Sequence, residues 1–187
     1  MRIVGGKFRG AALVGPAADT LTIRPTSDRL RESVFNILEH GFDRVLEDAR
    51  VIDLFAGTGA LGFEAMSRGA KSCLFVEENA EARGILRRNQ EALGLTGSTR
   101  IFRRDATTMG SIGPAEAYTL AFLDPPYGKG LADRALTALA GGGWLEAGAL
   151  VVVEESAKAA VTWPDGFDVV DERAYGDTKV MFGVFNR

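Results

Sequence analysis

Apolar residues along this chain of 187 amino acids fall into short runs separated by stretches of helical spacing. Residues 1–23 are broken by Gly5-Gly6, Gly10 and Gly15-Pro16 and read as a small β-rich or irregular arm ahead of the domain at 24–187. Thr26 or Ser27 is placed to cap a helix running to about Glu39, with Leu30, Val34, Ile37 and Leu38 on one face. A buried strand is predicted over Val51–Phe55, followed by a helix over about Ala60–Arg68 that stops at Gly69. Further strands are predicted over Ser72–Val76, Thr99–Phe102, Tyr118–Leu123 and Ala149–Val153. Between them lie helices, one capped by Asn79 and running towards Leu93-Gly94, the other over about Leu131–Leu139. Phe167–Glu172 and Val180–Phe185 flank Tyr175-Gly176-Asp177 and form a terminal antiparallel hairpin. Strand–helix alternation ending in a hairpin implies a doubly wound, mainly parallel α/β sheet. Ligands of such sheets bind beyond the carboxyl ends of the strands, near the switch in strand order.

That rule directs attention to the residues after each strand. The first strand runs into Asp53-Leu54-Phe55-Ala56-Gly57-Thr58-Gly59-Ala60-Leu61-Gly62, a G-x-G-x-x-G loop between strand and helix. Glu77 follows the second strand, 20 residues beyond Gly57. Loop and acid together fit a dinucleotide site, and equally any ligand whose ribose hydroxyls donate to a carboxylate. Asp53 distinguishes the two, because a carboxylate at the start of the loop would repel a pyrophosphate at the helix N-terminus. S-adenosylmethionine has no phosphate and carries a sulfonium and an ammonium, which tolerate that acid; Asp53 would then act through backbone organisation or water contacts. Its alternative role is to cap neighbouring amides. Asp105 follows the third strand, where a carboxylate can accept from an adenine amine while Ala106 offers a backbone donor.

The fourth strand ends in Asp124-Pro125-Pro126-Tyr127. Two prolines fix φ and lack N–H groups, so the turn is stiff and holds the Asp124 carboxylate and Pro125 carbonyl as converging acceptors beside an aromatic face. That constellation suits methylation of an exocyclic amino group, whose lone pair is shared with a ring. Acceptors on its two N–H groups favour pyramidalisation and stabilise the charge that develops. Tyr127 can stack on the base, and a base in a helix must be unstacked to reach it.

Composition narrows the picture only a little. At 46% hydrophobic and 25% charged, the chain is that of an ordinary globular protein. No apolar run approaches the ~20 residues of a membrane span, and the start lacks a secretory apolar core. A single cysteine, Cys73, and a single histidine, His40, exclude an internal disulfide and disfavour a metal site. A cytoplasmic protein is the expectation. The net charge of −3 is unevenly spread: residues 1–31 hold six basic and two acidic side chains. A basic arm is either a handle for phosphates or a solvated segment.

With these motifs in place, the chain resembles amino-methyltransferases of the seven-stranded, Rossmann-like fold. The block Arg24-Pro25-Thr26-Ser27-Asp28-Arg29-Leu30-Arg31-Glu32-Ser33-Val34-Phe35-Asn36, the arm Arg2–Gly10 and the stretch Asp53–Ala70 are similar to the bacterial ribosomal small subunit methyltransferase D family. The similarity covers essentially the whole chain. It implies an S-adenosylmethionine-dependent enzyme acting on N2 of a guanine in 16S rRNA, within the small ribosomal subunit or an assembly intermediate, and working as a monomer. It also implies cofactor binding by Asp53, Phe55, Ala56, Gly57, Thr58, Gly59, Glu77, Asp105, Ala106 and Asp124, and engagement of the base by Asp124, Pro125 and Tyr127. RNA contacts are implied for Arg2, Lys7, Arg9, Arg24, Thr26, Arg29, Arg31 and Asn36. Alternatively, Arg24, Arg29 and Arg31 pair with Asp28, Glu32 or Glu39 on a helix face. Thr58 stands where the family more often has Ser, and both offer a hydroxyl. The acidic total charge puts the strength of unaided RNA binding in question. Three other functions fit parts of the pattern: an adenine-N6 methyltransferase through D-P-P-Y, an NAD-dependent dehydrogenase through the glycine loop and Glu77, and a non-catalytic RNA-binding module that keeps the fold.

Overall fold

The computed structural model describes residues 1–17 and 26–187. Its elements follow in chain order as α1 (Asp28–Gly41), β1 (Arg50–Leu54), α2 (Ala60–Ser67), β2 (Ser72–Val76), α3 (Ala80–Ala92) and β3 (Thr99–Phe102). After these come β4 (Tyr118–Leu123), α4 (Leu131–Gly141), β5 (Leu145–Ser156), β6 (Phe167–Tyr175) and β7 (Thr178–Phe185). All seven strands join one sheet in the order β3-β2-β1-β4-β5-β7-β6. The first five are parallel, and β7 pairs antiparallel with both β5 and β6.

Helices on both faces explain the unbroken apolar character of the central strands. Successive residues of one strand feed opposite cores: Leu120 and Phe122 of β4 pack with Phe35, Leu38, Phe63 and Leu86, whereas Ala121 and Leu123 pack with Ala135, Leu136 and Leu139. Period-two alternation is thus present, but both phases are apolar. The switch in strand order falls between β1 and β4, and opens a crevice above their carboxyl ends.

Local chemistry sets the element boundaries. Ser27, rather than Thr26, caps α1 by accepting from the Leu30 amide at 3.1 Å, and Asn79 does the same for α3 through Ala82 at 3.0 Å. The first strand stops one residue earlier than the pattern predicts, since Phe55 takes a left-handed φ of 57° and turns the chain into the glycine loop. The fifth strand is much longer than Ala149–Val153. Antiparallel pairing of Glu154, Glu155 and Ser156 with Val180, Lys179 and Thr178 carries it beyond its apolar centre.

Among the described residues of the arm, 1–17, the backbone is mostly irregular. This part contains a single bridge, Arg2 to Ala12, and is held by side chains of the main domain. Ile3 and Leu13 are buried in the core beside α1–α3. Glu64 accepts from the Val4 and Gly5 amides at 2.9 and 3.0 Å, and Asn89 both accepts from and donates to Val14.

Candidate active site

A cavity of about 680 Å³ opens above the carboxyl ends of β1, β2, β3, β4 and β5, within the range of small-ligand sites. Asp53, Phe55, Ala56, Gly57, Thr58, Glu77, Asp105, Ala106, Asp124, Pro125 and Tyr127 all line it. Of the expected cofactor and base contacts, only Gly59 lies outside its wall. Gly59 is the left-handed N-cap of α2, and a Cβ there would come within 2.5 Å of Leu86 and Phe63. Gly62 brings α2 onto the sheet: a Cβ would lie 2.4 Å from the Phe75 ring and 2.7 Å from the Cys73 sulfur. The second glycine therefore turns the chain and the third permits helix–strand packing.

The acids of the site differ in their surroundings. Asp53 is fully buried, and its carboxyl accepts from the Gly62 amide at 3.0 Å, tying the end of β1 to α2. Burial raises its pKa well above the usual carboxylate range, against the lowering effect of the Gly62 bond. Glu77 accepts from Gly57 N at 2.8 Å and Asn79 N at 2.9 Å, bracing the loop against the start of α3. Asp105 accepts from the Thr107 hydroxyl at 2.7 Å and its amide at 2.8 Å, which lowers its pKa. These three acids sit along one side of the cavity, with Ala106 buried beside Asp105. The arrangement fits an adenosyl group, with acceptors where ribose hydroxyls and an adenine amine would lie, while Asp53, buried and favoured in its neutral form, caps the Gly62 amide rather than repelling a pyrophosphate. Glu77 would hold the ribose, Asp105 and Ala106 the adenine, and the loop from Phe55 to Thr58 the methionine end.

On the opposite side stands a second group of acids. Asp124 follows β4, and Glu154 emerges near the end of β5. The Thr26 hydroxyl lies 2.9 Å from Asp124 Oδ2 and 3.3 Å from Glu154 Oε2. The Tyr127 hydroxyl donates to Glu154 Oε1 at 2.5 Å and lies 3.0 Å from the Thr178 hydroxyl. Burial, followed by the bond to Glu154, pushes the Tyr127 phenol far up, so it stays protonated. Its ring is thereby pinned at the cavity wall as a neutral aromatic surface.

Several expected RNA contacts are placed differently. Arg31 is fully buried. Its guanidinium bonds Glu64 at 3.1 Å, Asp28 at 2.9 Å, the Thr26 carbonyl at 3.4 Å and the Arg2 carbonyl. It is a core ion-pair residue, closed to a phosphate. Of the alternative partners, Asp28 is the one it meets, while Glu39 binds Arg68 at 3.0 Å. Thr26 is also buried and bridges the two acids of the cavity. Arg2, Lys7, Arg9, Arg29 and Asn36 are exposed, and Asn36 lines a separate cavity with His40 and Val170. Arg24 lies outside the described residues. Glu154, Arg104 and Arg134 also line the main cavity, and no motif in the sequence marks them. An acid closing each central strand (Asp53, Glu77, Asp105, Asp124) is a repeating signal that extends to Glu154.

Fold and site together define a Rossmann-like methyltransferase, and comparison with known proteins agrees. The family model described as Conserved hypothetical protein 95 matches residues 1–184. The ribosomal RNA small subunit methyltransferase D of Escherichia coli K12 is 33% identical over all of this chain and 90% of its own length. That of Haemophilus influenzae is 30% identical over 94% of this chain and 89% of its own. Among solved structures, the Escherichia coli protein yhhF superposes with a TM-score of 0.84 at 30% identity, covering 100% of this chain and 98% of that one. The chain belongs to the ribosomal RNA small subunit methyltransferase D family. A dehydrogenase is thereby set aside, and the fold reading of a seven-stranded sheet with a terminal hairpin stands.

Proposed function

We propose that this enzyme methylates N2 of a guanine in 16S rRNA, within the small ribosomal subunit or an assembly intermediate. The names of its relatives support the RNA, and the acceptor-lined end of the cavity supports an amino group as the target. The reading takes the enzyme as a cytoplasmic monomer; among the described residues no helix is long and apolar enough to cross a membrane. S-adenosylmethionine supplies a methyl group on a positively charged sulfur when bound.

The rest of the chemistry belongs to the chain. Asp124 accepts from one N–H of the exocyclic amine and the Pro125 carbonyl from the other. Together they localise the nitrogen lone pair and fix its direction. As the bond from nitrogen to the methyl forms and the bond from the methyl to sulfur breaks, the Asp124 carboxylate stabilises the positive charge growing on nitrogen, and the surplus N–H proton leaves through that carboxylate to solvent. Thr26 holds this carboxylate from behind, and the pinned Tyr127 ring stacks on the extruded base. Exposed Arg2, Lys7, Arg9 and Arg29 are the phosphate contacts of this reading.

The observation that carries the reading is the position of Asp124 at the end of β4, inside the cavity and bonded to Thr26. Asp124→Ala is expected to lower methyl transfer by about 10²–10³-fold, while calorimetry shows S-adenosylmethionine binding retained. Full activity in that variant removes Asp124 from the mechanism. An adenine-N6 specificity is distinguished by the product: methyladenosine rather than N2-methylguanosine.

A further inference from the structure

Asparagine is a weak helix former and a buried amide needs partners, yet Asn89 lies inside α3 with 1% of its surface exposed. Its partners come from two separate places. Oδ1 accepts from the Val14 amide at 2.7 Å and Nδ2 donates to the Val14 carbonyl at 3.1 Å, a two-bond clasp on the arm. Nδ2 also donates to the Thr58 carbonyl at 3.0 Å, in the glycine loop. Both hydrogens and the oxygen of this amide are thereby used, and one side chain joins the arm to the loop. A second tie links the same two pieces, since the Thr58 hydroxyl donates to the Met1 sulfur at 3.9 Å. Asn89, Val14 and Met1 stand outside the cavity wall, whereas Thr58 lines it.

We propose that Asn89 is a positioning residue for S-adenosylmethionine, through which the docked arm holds the glycine loop in its binding shape. This inference rests on the reading above that the loop receives the methionine end. The Thr58–Gly59 peptide is gripped on both sides, its carbonyl by Asn89 and its N–H by the Ala56 carbonyl at 2.8 Å. Three hydrogen bonds fix the plane of the Asn89 amide. When the arm undocks, two of the three are lost, and the amide is free to turn away from Thr58. Arm docking and cofactor binding therefore stabilise each other, and linkage makes the effect reciprocal. The arm carries Arg2, Lys7 and Arg9, the phosphate contacts of the proposed function, so a bound cofactor presents these cations to RNA in their docked arrangement.

The test uses the full chain, with S-adenosylhomocysteine and 5′-methylthioadenosine as probes. Both carry adenosine and a neutral sulfur, but only the first has the amino-acid end. Val14→Pro removes the N–H that Asn89 clasps, at a residue 38% exposed, and leaves the cavity wall unaltered. By calorimetry it is expected to raise the Kd of S-adenosylhomocysteine about 3- to 10-fold and to leave that of methylthioadenosine unchanged. Asn89→Asp sets a second oxygen against the Val14 and Thr58 carbonyls and is expected to raise the first Kd by about 10- to 100-fold. In the wild type, S-adenosylhomocysteine is expected to slow proteolysis within residues 1–17, and both variants to lose this protection. A merely structural role would lower the melting temperature and leave the Kd of the folded chain alone. Unchanged S-adenosylhomocysteine binding in both variants, or equal weakening of the two ligands, would overturn the role of Asn89. Where Asn89→Asp fails to fold, Val14→Pro decides by itself. Equal wild-type affinities for the two probes would overturn the placement of the methionine end at this loop, and the inference with it.

Discussion

Replacement of Glu64 by Gln is the most demanding test of how the arm is joined to the domain. Glu64 lies on α2 with no exposed surface. Its Oε1 accepts from Val4 N at 2.9 Å and Arg31 Nε at 3.1 Å, and its Oε2 from Gly5 N at 3.0 Å and Arg68 Nε at 2.9 Å. An amide of the same shape keeps one oxygen and turns an NH2 group towards two of these four donors. Two hydrogen bonds are lost, and two buried guanidiniums lose a neutralising charge. Breaking a buried ion pair from one side costs about 3–5 kcal/mol. Arg31 retains Asp28 and Arg68 retains Glu39, so the lower end, about 3 kcal/mol, applies. For a chain of this size that corresponds to a fall in Tm of roughly 6–12 °C. Urea unfolding followed by circular dichroism reads the free energy, and limited proteolysis is expected to cut residues 1–17 faster in the variant. A loss below about 1 kcal/mol with an unchanged m-value would refute the account of Glu64 as the anchor of the arm.

Two glycines in helices should respond to alanine with opposite signs. Gly62→Ala drives a Cβ into Phe75 and Cys73 and is expected to cost about 1–3 kcal/mol. Gly84→Ala, in α3 with nothing within 4 Å of the added carbon, is expected to gain up to about 1 kcal/mol; thermal melts of both variants check the pair. Asp53 gives a pH signature. Its folded pKa is raised by burial, so the native state binds more protons than the unfolded state, and stability falls as pH rises from about 4 through the folded pKa. Asp53→Asn removes this dependence. Urea midpoints at pH 4, 6 and 8 should show the variant gaining on the wild type as pH rises, and a constant difference would contradict the assigned cause.

Strands β2, β3 and β4 begin and end where the apolar runs place them; the runs Cys73–Val76 and Leu120–Leu123 are apolar throughout, while β3, at the sheet edge, carries an exposed Arg100. The long β5 was less legible. Glu154 and Glu155 look like a strand end by composition, and only pairing with β7, more than twenty residues on, keeps them extended. The cofactor side of the site is written locally, since the loop, Glu77 and Asp105 each follow a strand. The base side is not. Thr26 and Asp124 are 98 residues apart, and Thr26 and Glu154 are 128 apart. Arg31 misled for the same reason. Inside a block rich in Arg and polar residues it reads as a phosphate contact, while its partner Glu64 lies 33 residues away inside an apolar helix.

The central claim is methylation of a guanine amino group in ribosomal RNA. Small subunits from cells lacking this enzyme, incubated with the purified chain and methyl-labelled S-adenosylmethionine, are digested to nucleosides and resolved by mass spectrometry. The account predicts label in N2-methylguanosine, confined to one position of the 16S rRNA. Label in methyladenosine, or none in the RNA, would contradict it.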